Sequence, residues 1–357
     1  MNRKILMFLS YAELPTKKIE RVMEIVEEKN IEEIKPLVDD KEVMNLLSTN
    51  EYASLVKKCD DRVFSSYLNN LEKDGIKVVT LEDAEYPDKL RYTDDAPMLL
   101  YCKGDLSLLN KDCLSIVGTR MPSNYGRFVT EKFAGALAMA GLVVVSGLAY
   151  GVDSISHRKT LEVGGKTIAV LGGGFNHIYP EANTNLANEI AEKGLLVSEY
   201  PPFAKPTKYT FPLRNRIIAG LSLGTLITEA GKKSGTIHTK EYALDYGRDV
   251  FAVPGNINSL KSELPNSLIR SAQADCVLEP EDILLKYNYN AKKEEKRAVE
   301  VNMDEEVIMK LLKDGEKDFD YLAQFSKLPV NILNSCLTTL EIRCLIKRMP
   351  SNTFMLN

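Results

Sequence analysis

The chain has 357 residues, 44% hydrophobic and 27% charged, which is too long for one ordinary core and points to two or three domains. Its formal net charge of −4 argues against general affinity for nucleic acid. No run reaches the ~20 apolar residues of a membrane span, and the apolar stretch Met1–Leu9 lacks the small-residue cleavage pattern of a secretory leader.

Residues 1–75 read as short helices. Ile19, Val22, Met23, Ile25 and Val26 recur at helical spacing with charges between them, and Pro15 suits a first turn. This segment is expected to be a helical N-terminal domain, SAM-like or helix-hairpin-helix-like. A connecting region, Gly75–Tyr101, holds one expected strand at Ile76–Val79. The pattern then changes. Leu114–Val117, Leu142–Val145, Thr167–Leu171, Leu195–Val197, Thr225–Ile227 and Val250–Val253 are brief apolar runs, each followed by Gly, Ser, Glu or Pro. Helical patterns such as Phe128–Met139 and Leu186–Lys193 intervene. Apolar strands alternating with helices indicate a doubly wound, Rossmann-like, mostly parallel sheet covered on both faces, here over residues 76–287. Residues 288–302 are a charged linker. Residues 303–357 carry three helical apolar faces, followed by Ile346 and Phe354 on a short hairpin, and read as a winged helix.

Ligands of open α/β sheets sit at the carboxyl ends of the strands. Three consecutive expected strands end there in glycine-containing turns: Gly118-Thr119-Arg120, Ser146-Gly147 and Gly172-Gly173-Gly174. Glycine lets backbone approach an anion, and an adjoining helix start offers free N–H groups. Between Tyr200 and Lys240 stand seven basic residues, Lys205, Lys208, Arg214, Arg216, Lys232, Lys233 and Lys240, against one acid, Glu229. That is one basic face on an acidic chain. In Phe211-Pro212-Leu213-Arg214-Asn215-Arg216, Asn215 is expected to cap a helix with arginines flanking its start. Ser234-Gly235-Thr236 reads as a second helix start. There is no GxGxxG after the first of these strands and no P-loop pattern, so no cofactor is expected.

These blocks resemble the bacterial DNA-processing protein A family (DprA, also called Smf). The likeness runs from about Leu114 to Leu278 through SIVGTR, SGLAYGVDSISH, GGGFNHIYPEAN, SEYPP, FPLRNRIIAGLS, EAGKKSGT and GRDVFAVPG. The resemblance implies a non-catalytic cytoplasmic protein that binds single-stranded DNA in a basic pocket. It also implies delivery of that DNA to the RecA recombinase in natural transformation, usually as a homodimer. Carried over by motif, Gly118, Thr119, Arg120, Ser146, Gly147, Gly174, Arg214, Asn215 and Arg216 would line the pocket. Lys205, Lys208 and Lys240 join them on charge, and Tyr209 and Phe211 are candidates for stacking on bases. A sheet-edge dimer would use Leu268 and Ile269. The family's later G-x-N-x-L-I-x-x-G-A reads here Leu264-Pro265-Asn266-Ser267-Leu268-Ile269-Arg270-Ser271-Ala272-Gln273, without its glycines.

Other chemistry finds less material. The six cysteines (Cys59, Cys102, Cys113, Cys276, Cys336 and Cys344) show no CxxC spacing and there are three histidines, so buried reduced thiols are expected and no metal site. Asp153 is expected to cap its helix and His157 to hydrogen-bond within the fold. Glu229 carries the alternative reading, a nucleotide-processing enzyme related to the lysine-decarboxylase-like phosphoribohydrolases, whose PGGxGT block is absent.

Overall fold

The computed structural model describes residues 2–289, 302–343, 345–349 and 353–356. They fall into two compact units divided between Lys292 and Lys293. Most of the charged linker, residues 290–301, and Cys344 lie outside the described residues.

The first unit opens with six helices: α1 (Arg3–Tyr11), α2 (Thr16–Glu28), α3 (Ile34–Val38), α4 (Lys41–Leu46), α5 (Thr49–Lys58) and α6 (Asp61–Lys73). Their starts follow from capping chemistry. Asp40 and Asp60 accept from the first free N–H groups of α4 and α6, and Ser48 with Glu51 forms a capping box on α5. Pro15 lies one position before α2 rather than inside it. The buried stripe Ile19, Val22, Met23 and Val26 joins a cluster that also contains Ile76, Val78, Leu99 and Tyr101. The helices therefore share their core with one end of the sheet instead of forming a separate body. The Tyr101 hydroxyl ties that seam, 2.9 Å from Ser10 Oγ and 3.0 Å from the Tyr67 hydroxyl.

The sheet has nine strands: β1 (Ile76–Thr80), β2 (Leu99–Gly104), β3 (Cys113–Val117), β4 (Val143–Ser146), β5 (Thr167–Leu171), β6 (Leu195–Ser198), β7 (Gly224–Ile227), β8 (Asp249–Ala252) and β9 (Asp275–Cys276). Their order is β1-β2-β6-β5-β4-β3-β7-β8-β9. The β1–β2 and β2–β6 pairs are antiparallel and the rest parallel. Strands β3 to β7 are buried at every position, because helices cover both faces. Between the strands lie α7 (Asp88–Arg91), α8 (Asn124–Met139), α9 (Val152–Glu162), α10 (Thr184–Lys193), α11 (Thr210–Leu221), α12 (Thr236–Asp245) and α13 (Glu263–Arg270), and α14 (Pro280–Lys286) follows β9. Leu114, Ile116 and Val144 pack with Phe133 and Leu137 of α8 on one face. Val117, Val143 and Val145 pack with Ile217 and Ile218 of α11 on the other. From β3 the chain winds one way through β4, β5 and β6, then crosses back to β7 on the other side. The carboxyl ends of β3 and β7 therefore frame a topological switch point, the crevice where such sheets place ligands.

The second unit contains α15 (Met303–Leu312), β10 (Lys317–Asp318), α16 (Phe319–Ser326), α17 (Val330–Ile342), β11 (Ile346–Arg348) and β12 (Thr353–Leu356). Its antiparallel sheet has the order β10-β12-β11. Ile308, Leu312, Leu322, Leu333, Leu337, Leu340, Ile346 and Phe354 form its core. Three helices and a hairpin occupy the expected stretches, but Val307, Phe325 and Val330, read as parts of the helical apolar faces, are exposed, and β10 is an additional strand.

Candidate nucleic-acid interface

At the switch point the turn after β3 is clamped from below. Thr119 N–H donates to the Glu229 carbonyl at 2.7 Å. A Cβ on Gly118 would stand 2.7 Å from that same oxygen, so only glycine lets β3 and β7 end this close. The Glu229 carboxylate is buried and accepts from Ser123 N–H at 2.8 Å and Ser123 Oγ at 2.6 Å. Ser123 in turn caps α8 by accepting from Gly126 N–H at 3.1 Å. The anion position at the start of α8 is thus filled by the chain's own carboxylate. Arg120, one residue beyond this turn, is exposed.

The turn after β4 is held just as firmly. Ser146 is buried and its hydroxyl donates to Ile116 O at 2.7 Å. Asp153 does not cap α9, which starts after Gly151 without a side-chain cap. Its carboxylate instead accepts from Gly147 N–H at 3.2 Å and Ala149 N–H at 3.3 Å. Asn183 Nδ2 donates to Leu148 O at 2.9 Å and Ala149 O at 3.3 Å. Arg214 donates from Nη1 to Gly147 O at 2.6 Å and also to Val170 O at the end of β5. Burial pulls this guanidinium down to about 10, with Arg120 adding to the effect and Asp153 opposing it. Burial pushes the Asp153 carboxyl up, with Arg214 opposing. His157 is buried, its Nδ1 2.6 Å from Thr167 Oγ1. Burial, with Arg214 nearby, lowers its pKa to about 3, so the ring is neutral.

After β5, Gly174 N–H donates to Ala204 O at 2.8 Å. A Cβ there would run into the carbonyl oxygens of Pro201 and Pro202. Helix α11 starts at Thr210, five residues before the cap expected at Asn215. The Thr207 and Thr210 side chains bond the N–H groups at this start, and Pro212 falls in the first turn, where its missing N–H has no intrahelical partner to serve. Asn215 therefore lies inside the helix, accepting from Arg214 Nε at 3.1 Å and donating to Gly235 O at 3.4 Å. Arg216 points to the other side. It is 4% exposed, donates to Glu199 at 2.6 Å and has Asp95 at 3.8 Å. Glu199 also accepts from Thr16 Oγ1 of α2 at 2.7 Å.

The structure thus divides the expected site residues. Ser146, Gly174 and Arg216 are enclosed in internal contacts, and Gly118, Gly147 and Arg214 form the floor. Arg120, Lys205 and Lys208 are exposed and Lys240 is half-buried. Among the described residues none of these four forms an ion pair, nor do Lys232 and Lys233. Lys208 Nζ lies 5.0 Å from the Tyr209 ring centre. Leu268, expected at a subunit contact, is buried in the core of the unit. Ile269 is half-buried, and the neighbouring cavity of about 430 Å³ is lined by Lys232, Lys240 and Arg270 among others. Not anticipated were the partners Glu199 and Asp95 of Arg216, and two exposed tyrosines, Tyr150 and Tyr179, in the loops that follow β4 and β5. Of the five described cysteines, Cys276 is exposed and Cys59 half-buried, against the expectation of buried thiols throughout. Among the described residues no group of His, Cys, Asp and Glu could hold a metal ion, and no helix is long and apolar enough to cross a membrane.

The sheet order and the switch point between β3 and β7 define a Rossmann-like α/β protein with exposed basic residues along its carboxyl edge. Residues 77–288 match the model of the DNA recombination-mediator protein A family, and the chain belongs to that family. It is 41% identical over 223 residues to DNA processing protein DprA of Bacillus subtilis, covering 62% of this chain and 73% of that one. It is 43% identical over 215 residues to protein Smf of Escherichia coli, covering 60% and 57%. DNA processing protein A of Streptococcus pneumoniae superposes with a TM-score of 0.69 at 34% identity, over 81% of this chain and 99% of that one. DNA processing protein A of Helicobacter pylori, for which a unique single-stranded DNA binding mode is described, superposes with a TM-score of 0.55 at 34% identity. That match covers 60% of this chain and 98% of the other.

Proposed function

We propose that this chain binds single-stranded DNA without regard to sequence along the carboxyl edge of its sheet, and loads RecA recombinase onto it in natural transformation. The observation that carries the reading is the set of cations there that form no ion pair among the described residues. Arg120, Lys205, Lys208, Lys232 and Lys233 are exposed beside turns in which the Thr119, Ser123, Gly147 and Gly174 N–H groups have internal partners. Cations without carboxylate partners suit a polyanion. Arg214 adds charge from beneath and keeps the turns in place, while Arg216 serves the seam with α2. The reading is of a cytosolic binding protein rather than an enzyme; the Glu229 carboxylate, which the enzymatic alternative would use, accepts from Ser123 at the start of α8. The second unit, read as a winged helix, has Asn331, Asn334, Ser335 and Thr338 exposed on α17, a face without cations that fits a protein contact. A homodimer through the β9 edge would rest on Ile269 and its exposed neighbours, since Leu268 faces inward.

The test is a gel-shift comparison of single-stranded and duplex DNA over a range of salt. Preference for the single strand, weakening steeply with salt, is the expected result. Strong duplex preference would move the function to the second unit.

A further inference from the structure

Single strands and duplexes carry the same phosphates, so cations alone do not tell them apart. What differs is the faces of unpaired bases. Besides Tyr209, which is 69% exposed, two further side chains on the carboxyl edge are suited to them. Tyr150 lies in the turn after β4 and is 49% exposed, and Tyr179 follows β5 and is 53% exposed. Neither hydroxyl has a hydrogen-bond partner among the described residues. Half-exposed rings of this size contribute little to a core, yet the backbone that carries them is tightly held.

Strands β4 and β5 are parallel neighbours, roughly 4.8 Å apart, so both turns open on the same edge. Asp153 fixes the turn of Tyr150 through Gly147 and Ala149. Asn183, from the segment that carries Tyr179, bonds the carbonyls of Leu148 and Ala149 and joins the two turns. Gly151, next to Tyr150, packs on the backbone of Thr119 and Arg120 so closely that a Cβ would lie 2.6 Å from the Arg120 carbonyl carbon. The Tyr179 ring centre is 5.4 Å from that of Phe211. Two aromatic rings thus stand on the same edge, Tyr150 beside the Gly151 that packs on the Arg120 backbone and Tyr179 against Phe211.

We infer that Tyr150 and Tyr179 form a nucleobase-stacking subsite on this edge, and that it makes binding depend on unpaired bases. The inference rests on the reading of the edge as a single-strand site. Stacking needs only a π-face, so it tolerates any sequence and rejects a duplex whose bases are already stacked.

The experiment measures fluorescence anisotropy of a labelled oligothymidylate and of a strand of equal length built from abasic residues. It uses the full chain and its Tyr150→Ala, Tyr179→Ala, Tyr150→Phe, Tyr179→Phe and Arg120→Ala variants. The unsubstituted chain should bind the base-bearing strand more tightly. Each alanine should weaken that binding by about 5- to 150-fold, leave abasic binding nearly unchanged and leave the salt dependence unaltered. The phenylalanine variants should keep the affinity. Alanine variants that bind oligothymidylate like the parent, or lose equally on both strands, overturn the subsite. If Arg120→Ala alone weakens binding, and does so on both strands, the subsite falls and the single-strand reading stands. If the unsubstituted chain binds neither strand, both fall.

Discussion

Arg214 Nη1 donates to the carbonyl oxygen of Gly147 at 2.6 Å, joining α11 to the turn after β4. Gly147 must be glycine for this to happen, because a Cβ there would lie 2.6 Å from Arg214 Cζ and 2.7 Å from Nη1. The guanidinium cannot retreat, since it also bonds Val170 O and Asn215. Gly147→Ala should therefore cost about 1–3 kcal/mol through overpacking, read as a lower urea midpoint with an unchanged slope. A midpoint equal to the parent's would show that the turn has slack.

Arg216 should behave as a structural residue. It forms a buried pair with Glu199, and breaking one side of such a pair costs on the order of 3–5 kcal/mol, whereas replacing both partners is often near neutral. Arg216→Met and Glu199→Gln should each destabilise strongly, and the double variant should recover much of the loss. The salt dependence of DNA binding by Arg216→Met should match the parent's. A slope reduced by one contact would return Arg216 to the DNA site.

Much of this organisation is legible in the sequence. The six apolar runs from Leu114 to Val253 each become a strand of the sheet, because burial on both faces leaves a continuous apolar signature. β2 carries the same signal in Leu99-Leu100-Tyr101-Cys102, between Pro97 and Gly104, and its antiparallel pairing sets it outside the alternating pattern. β9 has two residues, too few for any periodicity. In the site, residue type and position in the chain locate the turns but not the direction of each side chain. Arg214 and Arg216 are two residues apart on a helix, about 200° around its axis, so one faces the strand ends and the other faces α2. That difference depends on where α11 begins, and the Thr207–Thr210 start is less conspicuous than Asn215.

His157 makes stability depend on pH. Its folded pKa of about 3 lies below the ordinary 6.5, chiefly because of burial. In the unfolded chain the ring gains a proton near pH 6.5, and in the folded chain it does not, so stability is full above that value and declines as the pH falls toward 3. The loss from this group between pH 7 and pH 5 is on the order of 2 kcal/mol. Thermal melts of the parent and of His157→Gln over that range should show a flatter profile for the variant. Parallel profiles would mean that the histidine is not the group responsible.

Glu229→Gln tests the enzymatic alternative. The carboxylate accepts from both Ser123 N–H and Ser123 Oγ at the start of α8. Replacing the charge should cost about 1–3 kcal/mol of stability, measured by urea unfolding. The unsubstituted chain should release no free base from AMP. Base release that disappears in Glu229→Gln would establish catalysis instead.

The claim that the carboxyl edge holds DNA by its phosphates is tested most directly by the salt dependence of Arg120→Ala. Arg120 is exposed, so the variant should melt like the parent. For single strands, log affinity against log salt has a slope of about −0.7 per phosphate contact. Arg120→Ala should weaken binding and flatten that slope by roughly one contact's worth, with Arg120→Lys a partial rescue because an ammonium lacks the guanidinium fork. A folded Arg120→Ala chain that binds with the parent's affinity and slope would contradict the account.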